Sequence, residues 1–249
     1  MTWGSLLAGT TAATTAATMA ATMAGTTAAT VPVPAPGDAR QVIVVTGRSM
    51  TSSYATLRAY QRGDDGRWHA AFPAMAARNG YAGWAPAAKR VQDTGTTPIG
   101  TFRITETFGL DANPGVRLPY RRVDGNDYWV GDQRDPRTYN LFEPSLSPSR
   151  TWRKTQAERL ASYPVQYAYA AVIDFNRPSS VSWNAQLHEY VAKNPADTAR
   201  GSAIFLHVNG KGSTAGCVSV ARPDLIRLLR WLDPGAHPRI VMGPGAEIS

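Results

Sequence analysis

The sequence predicts a mainly β domain, in which curved mixed sheets pack as a sandwich or an open barrel with a few short helices. Short apolar or alternating runs recur along the chain, and turn signals that contain Gly and Pro separate them. The chain has 249 residues, of which 43% are hydrophobic, so it can bury a sizeable core. This length fits one folded domain with an additional tail.

The first 37 residues differ from the rest of the chain because Ala and Thr dominate them and none is charged. Such a composition is typical of a low-complexity tail, although Ala-rich stretches also supply cleavage sites for export signals. The Pro-rich end of this stretch, residues 31–37, indicates an extended linker. We therefore interpret residues 1–37 as an export signal or linker, and residues 38–249 as the folded domain.

The folded domain begins with strand signals. Residues 42–46 are a continuous β-branched run, which predicts a buried strand. Residues 54–62 alternate between apolar and polar, and a turn at 63–66 leads into a returning strand at 67–72. A second turn at 95–100 precedes a predicted strand over 101–107.

The segment from 109 to 149 shows no long periodic pattern apart from a short strand at 128–130. Long irregular segments in compact domains are often functional. Its aromatic residues either line a substrate cleft or pack on the core; they are Tyr120, Tyr128, Trp129, Tyr139 and Phe142.

Strands and helices alternate in the last third of the chain. Residues 167–175 predict a strand, with Asp174 as a structural residue near its end. A helix is predicted over 178–194, and a second, clearly amphipathic helix over 223–233. Residues 239–242 predict the final strand.

Between these elements, residues 201–220 contain two short apolar runs joined by a Gly-rich loop, which predicts a β-hairpin or a closely related turn. The fold-back brings His207 towards Cys217, which is the single cysteine of the chain. A lone cysteine with a nearby histidine is a candidate nucleophile, because the imidazole can take the thiol proton and hold the thiolate as an ion pair. Taken alone, the pair fits equally well a buried structural cysteine beside a core histidine.

Small residues surround Cys217, and they allow a substrate backbone to approach closely. They also leave the backbone N–H groups of Gly216 and Cys217 available to bind an oxyanion.

These residues resemble the active-site signature of the L,D-transpeptidase (YkuD-type) catalytic domain family, in which an upstream His precedes a Ser/Thr-His-Gly-Cys motif. His207 matches the upstream base, Thr214 the Ser/Thr, and Gly216 with Cys217 the Gly-Cys pair. Residues 97–102 resemble the family's Thr-Pro-x-Gly-x-Phe turn, and the resemblance covers roughly residues 41–243.

The signature is divergent. Ala215 replaces the motif His, Ser219 replaces an Asn that many members carry, and the interval from His207 to Cys217 is shorter than usual.

The resemblance implies a cysteine acyltransferase that acts on peptidoglycan stem peptides and forms 3–3 cross-links during cell-wall biogenesis. It assigns the Val208 carbonyl as partner of His207, with Asn209, Ser213 and Thr214 in supporting positions. It also implies a secreted, cell-wall-associated monomer that needs no cofactor. The alternatives are an L,D-carboxypeptidase or another peptidoglycan amide hydrolase of the same fold, and a non-catalytic cell-wall-binding module.

The charge and the motifs of the chain limit which other functions and sites we expect. The net charge of +8 favours polyanions such as anionic cell-wall polymers or nucleic acid, but no nucleic-acid-binding motif is present, so we do not expect nucleic-acid binding. No histidine pair has metalloprotease spacing, so no metal site is expected. No run of about twenty apolar residues predicts a transmembrane helix.

Overall fold

The computed structural model describes residues 37–248, which form sixteen β-strands, two α-helices and five short 3-10 helices. In chain order, the strands are β1 (Gln41–Gly47), β2 (Tyr54–Arg62), β3 (Trp68–Ala70), β4 (Met75–Arg78), β5 (Trp84–Pro86), β6 (Thr97–Gly109), β7 (Tyr120–Arg122), β8 (Tyr128–Val130), β9 (Phe142–Glu143), β10 (Ala157–Arg159), β11 (Ala170–Ile173), β12 (Ser179–Asn184), β13 (Glu189–Asn194), β14 (Phe205–Val208), β15 (Val218–Val220) and β16 (Arg239–Pro244). The α-helices are α1 (Arg222–Trp231) and α2 (Gly245–Ile248), and the 3-10 helices span Ala87–Lys89, Lys154–Gln156, Leu160–Ser162, Gln166–Ala168 and Pro234–Ala236.

Eleven of these strands pair into one mixed sheet whose main path closes on itself. The path runs β1-β16-β6-β11-β14-β15-β4-β2, and β2 then pairs with β1 along the whole of Gln41–Gly47. Strands β3, β5 and β7 extend it at the sides, and two small sheets, β10-β8-β9 and β12-β13, lie outside it. The predicted mainly β fold with a mixed sheet is therefore confirmed, and the pairing of β1 with β2 removes the free edges that an open barrel would leave.

The two faces of the central strands bury different clusters. Alternate residues of β14 and β15, among them Leu206 and Val218, point into the main core. Helix α1 packs on that core through the fully buried Leu225, Leu228 and Leu229, as the predicted amphipathic pattern requires.

The opposite face of the same strands carries an aromatic cluster. Its large members are Phe108, Trp129, Tyr167 and Phe205, and the Trp129 and Phe205 rings meet edge to face at 4.8 Å. Cys217 belongs to this cluster. One side of the sheet therefore forms the main core, and the other side carries the candidate nucleophile.

The predicted helix over 178–194 is wrong, because β12 and β13 form an antiparallel hairpin there. The Asn184 side chain accepts hydrogen bonds from the Gln186 and Leu187 N–H groups at 3.1 and 3.0 Å, and His188 follows with a left-handed φ of +52°. The buried Glu189 carboxylate then accepts from Thr151 N–H and Oγ at 2.9 Å. These turn and anchor contacts override the helical spacing of the apolar residues.

Several predicted strands exist with shifted ends. The strand predicted over 167–175 is β11, four residues long, and a 3-10 turn replaces its first part. The strand predicted over 101–107 is the longer β6, and the one over 67–72 is the shorter β3. The prediction for residues 1–36 lies outside the described residues. Within 37–248, no helix has both the length and the apolar character needed to cross a membrane.

Candidate active site

The two strands that carry the site run in the same direction, which corrects the predicted hairpin. Strands β14 and β15 pair in parallel, with Leu206 beside Val218 and Val208 beside Val220. The loop from 209 to 217 therefore returns the chain to the start of β14 before β15 begins. Because Leu206 and Val218 both face the main core, the residues next to them, His207 and Cys217, share the opposite face.

The sulfur of Cys217 lies against the backbone at the start of β14 and just before it. Its Sγ accepts a hydrogen bond from Phe205 N–H at 3.3 Å and donates to the Ala203 carbonyl at 3.2 Å, and the residue is 8% exposed. Burial raises the pKa of the Cys217 thiol to about 12, and the negative charge of Glu158 adds to this, whereas Phe205 N–H and the Arg90 charge oppose it. Burial therefore favours the protonated thiol.

His207 is oriented by the carbonyl of the next residue. Its Nδ1 lies 2.8 Å from the Val208 oxygen, and because a carbonyl only accepts, Nδ1 carries the proton and Nε2 has a free lone pair. Burial lowers the pKa of His207 to about 4, although the Val208 hydrogen bond works the other way. The ring also meets Tyr167 edge to face at 5.7 Å. His207 is therefore a neutral base in a fixed tautomer.

Cys217 and His207 line the same cavity, which has a volume of about 740 Å³. No hydrogen bond joins the imidazole to Sγ in the part of the chain that the structure describes. Burial disfavours the charged form of both groups, which favours the uncharged pair. Burial therefore disfavours a preformed thiolate–imidazolium pair, which the sequence left open.

The loop before Cys217 is held by Thr214. Its Oγ1 donates to the Cys217 carbonyl at 2.6 Å and accepts from Gly216 N–H at 3.1 Å, while its own N–H donates to Asn79 at 3.0 Å. Gly216 has a φ of +141°, and a side chain there would lie 2.9 Å from the Thr96 carbonyl. The conformation that presents Cys217 therefore needs Gly at 216 and a hydroxyl at 214.

The two amides assigned to the oxyanion differ in this structure. Gly216 N–H already donates to Thr214, whereas Cys217 N–H has no hydrogen-bond partner among residues 37–248. Of the supporting residues, Ser213 lines the cavity, and Asn209 donates from its backbone to the Val220 carbonyl at 2.8 Å. The Cys217 amide is thus the donor that remains available for an incoming oxygen.

Three residues of the site come from distant segments that sequence reasoning missed. Arg90, Glu158 and Tyr167 line the cavity, and Tyr167 donates its hydroxyl proton to Glu158 at 2.7 Å. Burial raises the pKa of Glu158 to about 6. No local motif marks these positions, because each reaches the site through strand pairing and loop packing. The buried Arg90, which has no ion-pair partner among residues 37–248, can be recognised only in the folded structure.

Other candidates lie elsewhere. Asp174 forms a 2.6 Å ion pair with Arg103, in agreement with its structural assignment. Of the aromatic residues predicted either to line a cleft or to pack on the core, Trp129 lines the cavity, whereas Tyr128 and Tyr139 are buried in the fold. Across residues 37–248, no group of three or more His, Cys, Asp or Glu side chains is arranged to hold a metal ion.

Comparison with known proteins supports the resemblance seen in the sequence. No curated protein matches the chain. The family model for the L,D-transpeptidase catalytic domain (YkuD) matches residues 39–242, which include every strand from β1 to β15, most of β16, and both residues of the candidate pair. The chain therefore belongs to the L,D-transpeptidase catalytic domain family.

Proposed function

We propose that the protein is an L,D-transpeptidase that forms 3–3 cross-links between peptidoglycan stem peptides through an acyl-enzyme on Cys217. The observation that carries this proposal is the placement of Cys217 and His207 on one face of two adjacent parallel strands, at the wall of a single cavity. Membership of the family supports peptidoglycan as the substrate. Such a substrate would place the protein in the cell envelope, outside the cytoplasmic membrane.

In the proposed first half-reaction, the donor is a tetrapeptide stem whose third residue is a diamino acid. The Cys217 sulfur attacks the carbonyl carbon of that residue while His207 Nε2 takes the thiol proton. The Cys217 N–H faces the oxyanion of the tetrahedral intermediate. When the C–N bond breaks, the imidazolium returns the proton to the nitrogen of the departing terminal D-alanine, and a thioester remains on Cys217.

In the second half-reaction, a side-chain amine of another stem attacks the thioester. His207 takes a proton from that amine and returns it to the departing sulfur, which leaves a 3–3 cross-link and the free thiol. Water in place of the amine would give a tripeptide, which is the carboxypeptidase outcome.

The electrostatics around Cys217 and His207 favour general-base catalysis over attack by a preformed thiolate. Burial holds the thiol pKa far above the imidazole pKa, so a proton moved before bond formation would create two poorly solvated charges. If the proton moves as the S–C bond forms, the negative charge appears on the substrate oxygen, where the Cys217 N–H is free to stabilise it.

The test uses purified protein and a tetrapeptide stem fragment, with the acyl-enzyme detected by mass spectrometry. The wild-type protein should gain the mass of the acyl group, and the products should include cross-linked dimers. Cys217→Ala should abolish the adduct, and His207→Gln should slow its formation. The matched histidine control is His69→Gln, which changes a half-buried histidine outside the cavity. An adduct that persists in Cys217→Ala would remove Cys217 from the mechanism.

A second candidate function, a non-catalytic wall-binding module, is favoured by one observation. The sulfur sits between Phe205 N–H and the Ala203 carbonyl in a largely buried position, as a structural cysteine would. Such a module would bind the stem peptide without any mass increase, and its thiol would resist iodoacetamide. Adduct formation therefore separates the enzyme from the module, and the ratio of dimers to tripeptides separates transfer from hydrolysis.

A further inference from the structure

A buried guanidinium without a counter-ion lies in the wall of the cavity that holds Cys217. Arg90 is 4% exposed and lines this cavity. In the part of the chain that the structure describes, no carboxylate lies within ion-pair distance of it, since Asp93 acts on its pKa only from farther away. Buried charges are ordinarily paired, so an unpaired one beside a cavity points to a ligand of opposite charge.

The guanidinium is held in one orientation by backbone carbonyls. Nε donates to the Thr96 carbonyl at 2.8 Å, and Nη1 donates to the Arg200 carbonyl at 2.7 Å. Both partners are neutral, so they fix the side chain without cancelling its charge. Nη2 has no hydrogen-bond partner among residues 37–248, and it is therefore available to a molecule in the cavity.

Two glycines make the space for this side chain. At Gly201, whose φ is +109°, a Cβ atom would lie 1.7 Å from Nη1 of Arg90. At Gly216, a Cβ atom would lie 2.8 Å from Nη2. The free nitrogen is thus next to the residue that precedes the nucleophile, and any group that it binds lies close to the reacting carbonyl.

We propose that Arg90 is a specificity residue that binds the free C-terminal carboxylate of the residue leaving the donor peptide. This inference rests on the proposed function. In a peptide cleaved at its last bond, only the amide nitrogen and one Cα separate the scissile carbonyl carbon from the terminal carboxylate. The Nη2 atom of Arg90 lies next to Gly216, the residue before the nucleophile, and it can donate a charge-assisted hydrogen bond to that carboxylate. The cavity then selects peptide ends over internal bonds.

The first measurement is binding without turnover, by calorimetry on the full chain carrying Cys217→Ala. The ligands are a tetrapeptide stem with a free C-terminal carboxylate and the same peptide as its C-terminal amide. We expect the acid to bind about tenfold more tightly than the amide, because hydrogen bonds to charged groups are the stronger ones. Adding Arg90→Gln should remove this preference and leave the affinity for the amide almost unchanged, and Arg90→Lys should retain part of it.

The second measurement needs no peptide, because two small alkylating reagents differ in the same way. Iodoacetate carries a carboxylate next to the reacting carbon, and iodoacetamide is its neutral counterpart. We expect the ratio of the iodoacetate rate to the iodoacetamide rate at Cys217 to fall about tenfold in Arg90→Gln. The matched control is Arg103→Gln, which removes an exposed arginine paired with Asp174 and should leave the ratio unchanged.

The outcomes separate this inference from the proposed function. If neither peptide binds but the reagent ratio falls, Arg90 binds carboxylates and the proposed peptide substrate is wrong. If Arg90→Gln weakens the acid and the amide equally, Arg90 only holds the Thr96 and Arg200 segments together, and the inference fails. The inference is also overturned if the wild-type chain does not prefer the acid and Arg90→Gln leaves the reagent ratio unchanged.

Discussion

Acidification should destabilise the protein through His207, because the folded chain holds this imidazole in its neutral form. Burial lowers the pKa of His207 to about 4 from an ordinary value of 6.5, so the unfolded chain binds the proton more tightly than the folded one. The stability that follows from this difference is complete above pH 6.5 and is lost as the pH falls towards 4. For these two pKa values, the loss amounts to about 2 kcal/mol at a pH of about 5.

The assay is urea unfolding at pH of about 7.5 and about 5, for the wild-type protein and for His207→Gln. Other groups also titrate in this range, and the variant retains them, so the difference between the two proteins isolates the imidazole. The wild-type free energy of unfolding should fall by about 2 kcal/mol more than that of the variant.

Equal losses for the wild type and His207→Gln would refute the reasoning, because they would mean that the imidazole titrates alike in the folded and unfolded chains. The same pKa has a kinetic consequence for the proposed reaction. The acid limb of kcat/KM should reflect a base that titrates near pH 4 rather than near 6.5, since this parameter reports the free enzyme.

Two further predictions test the loop and the small outer sheet. Thr214→Val should remove the hydrogen bonds to the Cys217 carbonyl and from Gly216 N–H. The variant should lose about 1–3 kcal/mol of unfolding free energy and form the acyl-enzyme more slowly. Thr214→Ser should retain both hydrogen bonds; thermal unfolding and the rate of adduct formation test these outcomes. Burial raises the pKa of Glu143 to about 8, so the stability linked to its protonated form is complete below pH 4.5 and is lost as the pH rises through 8. Glu143→Gln should therefore be more stable than the wild type at a pH of about 9, by an amount on the order of 2–4 kcal/mol in urea unfolding, and this advantage should be absent at a pH of about 5.

The composition of short segments predicted several of the central strands, such as those at residues 42–46, 101–107 and 239–242. The apolar runs around His207 and Cys217 are strands or border one, and both residues lie on one face because Leu206 and Val218 lie on the other. The direction of pairing was beyond that pattern, because it depends on where the intervening loop is anchored. Here Thr214 donates to Asn79, a residue more than a hundred positions earlier, and this contact guides the loop back across the sheet.

The misassigned helix has a similar cause. Leu187, Tyr190 and Val191 have helical spacing, but they belong to a hairpin whose anchors come from other segments. Besides the Glu189 contacts, Tyr190 N–H donates to the buried Glu143 carboxyl group at 3.0 Å. Buried carboxyl groups that accept hydrogen bonds from backbone N–H groups stabilise the strand, and neither partnership can be read from a local window of sequence.

The charges around Cys217 also connect the mechanism with the proposed specificity. Glu158 raises the thiol pKa and Arg90 lowers it, so the sulfur lies between opposing fields, and burial decides in favour of the neutral thiol. If a substrate carboxylate pairs with Arg90, it offsets the positive charge that lowers the thiol pKa. Binding of the donor would then make a preformed thiolate still less favourable. Proton transfer to His207 during the attack is the route that remains compatible with both the buried pair and a peptide end held by Arg90.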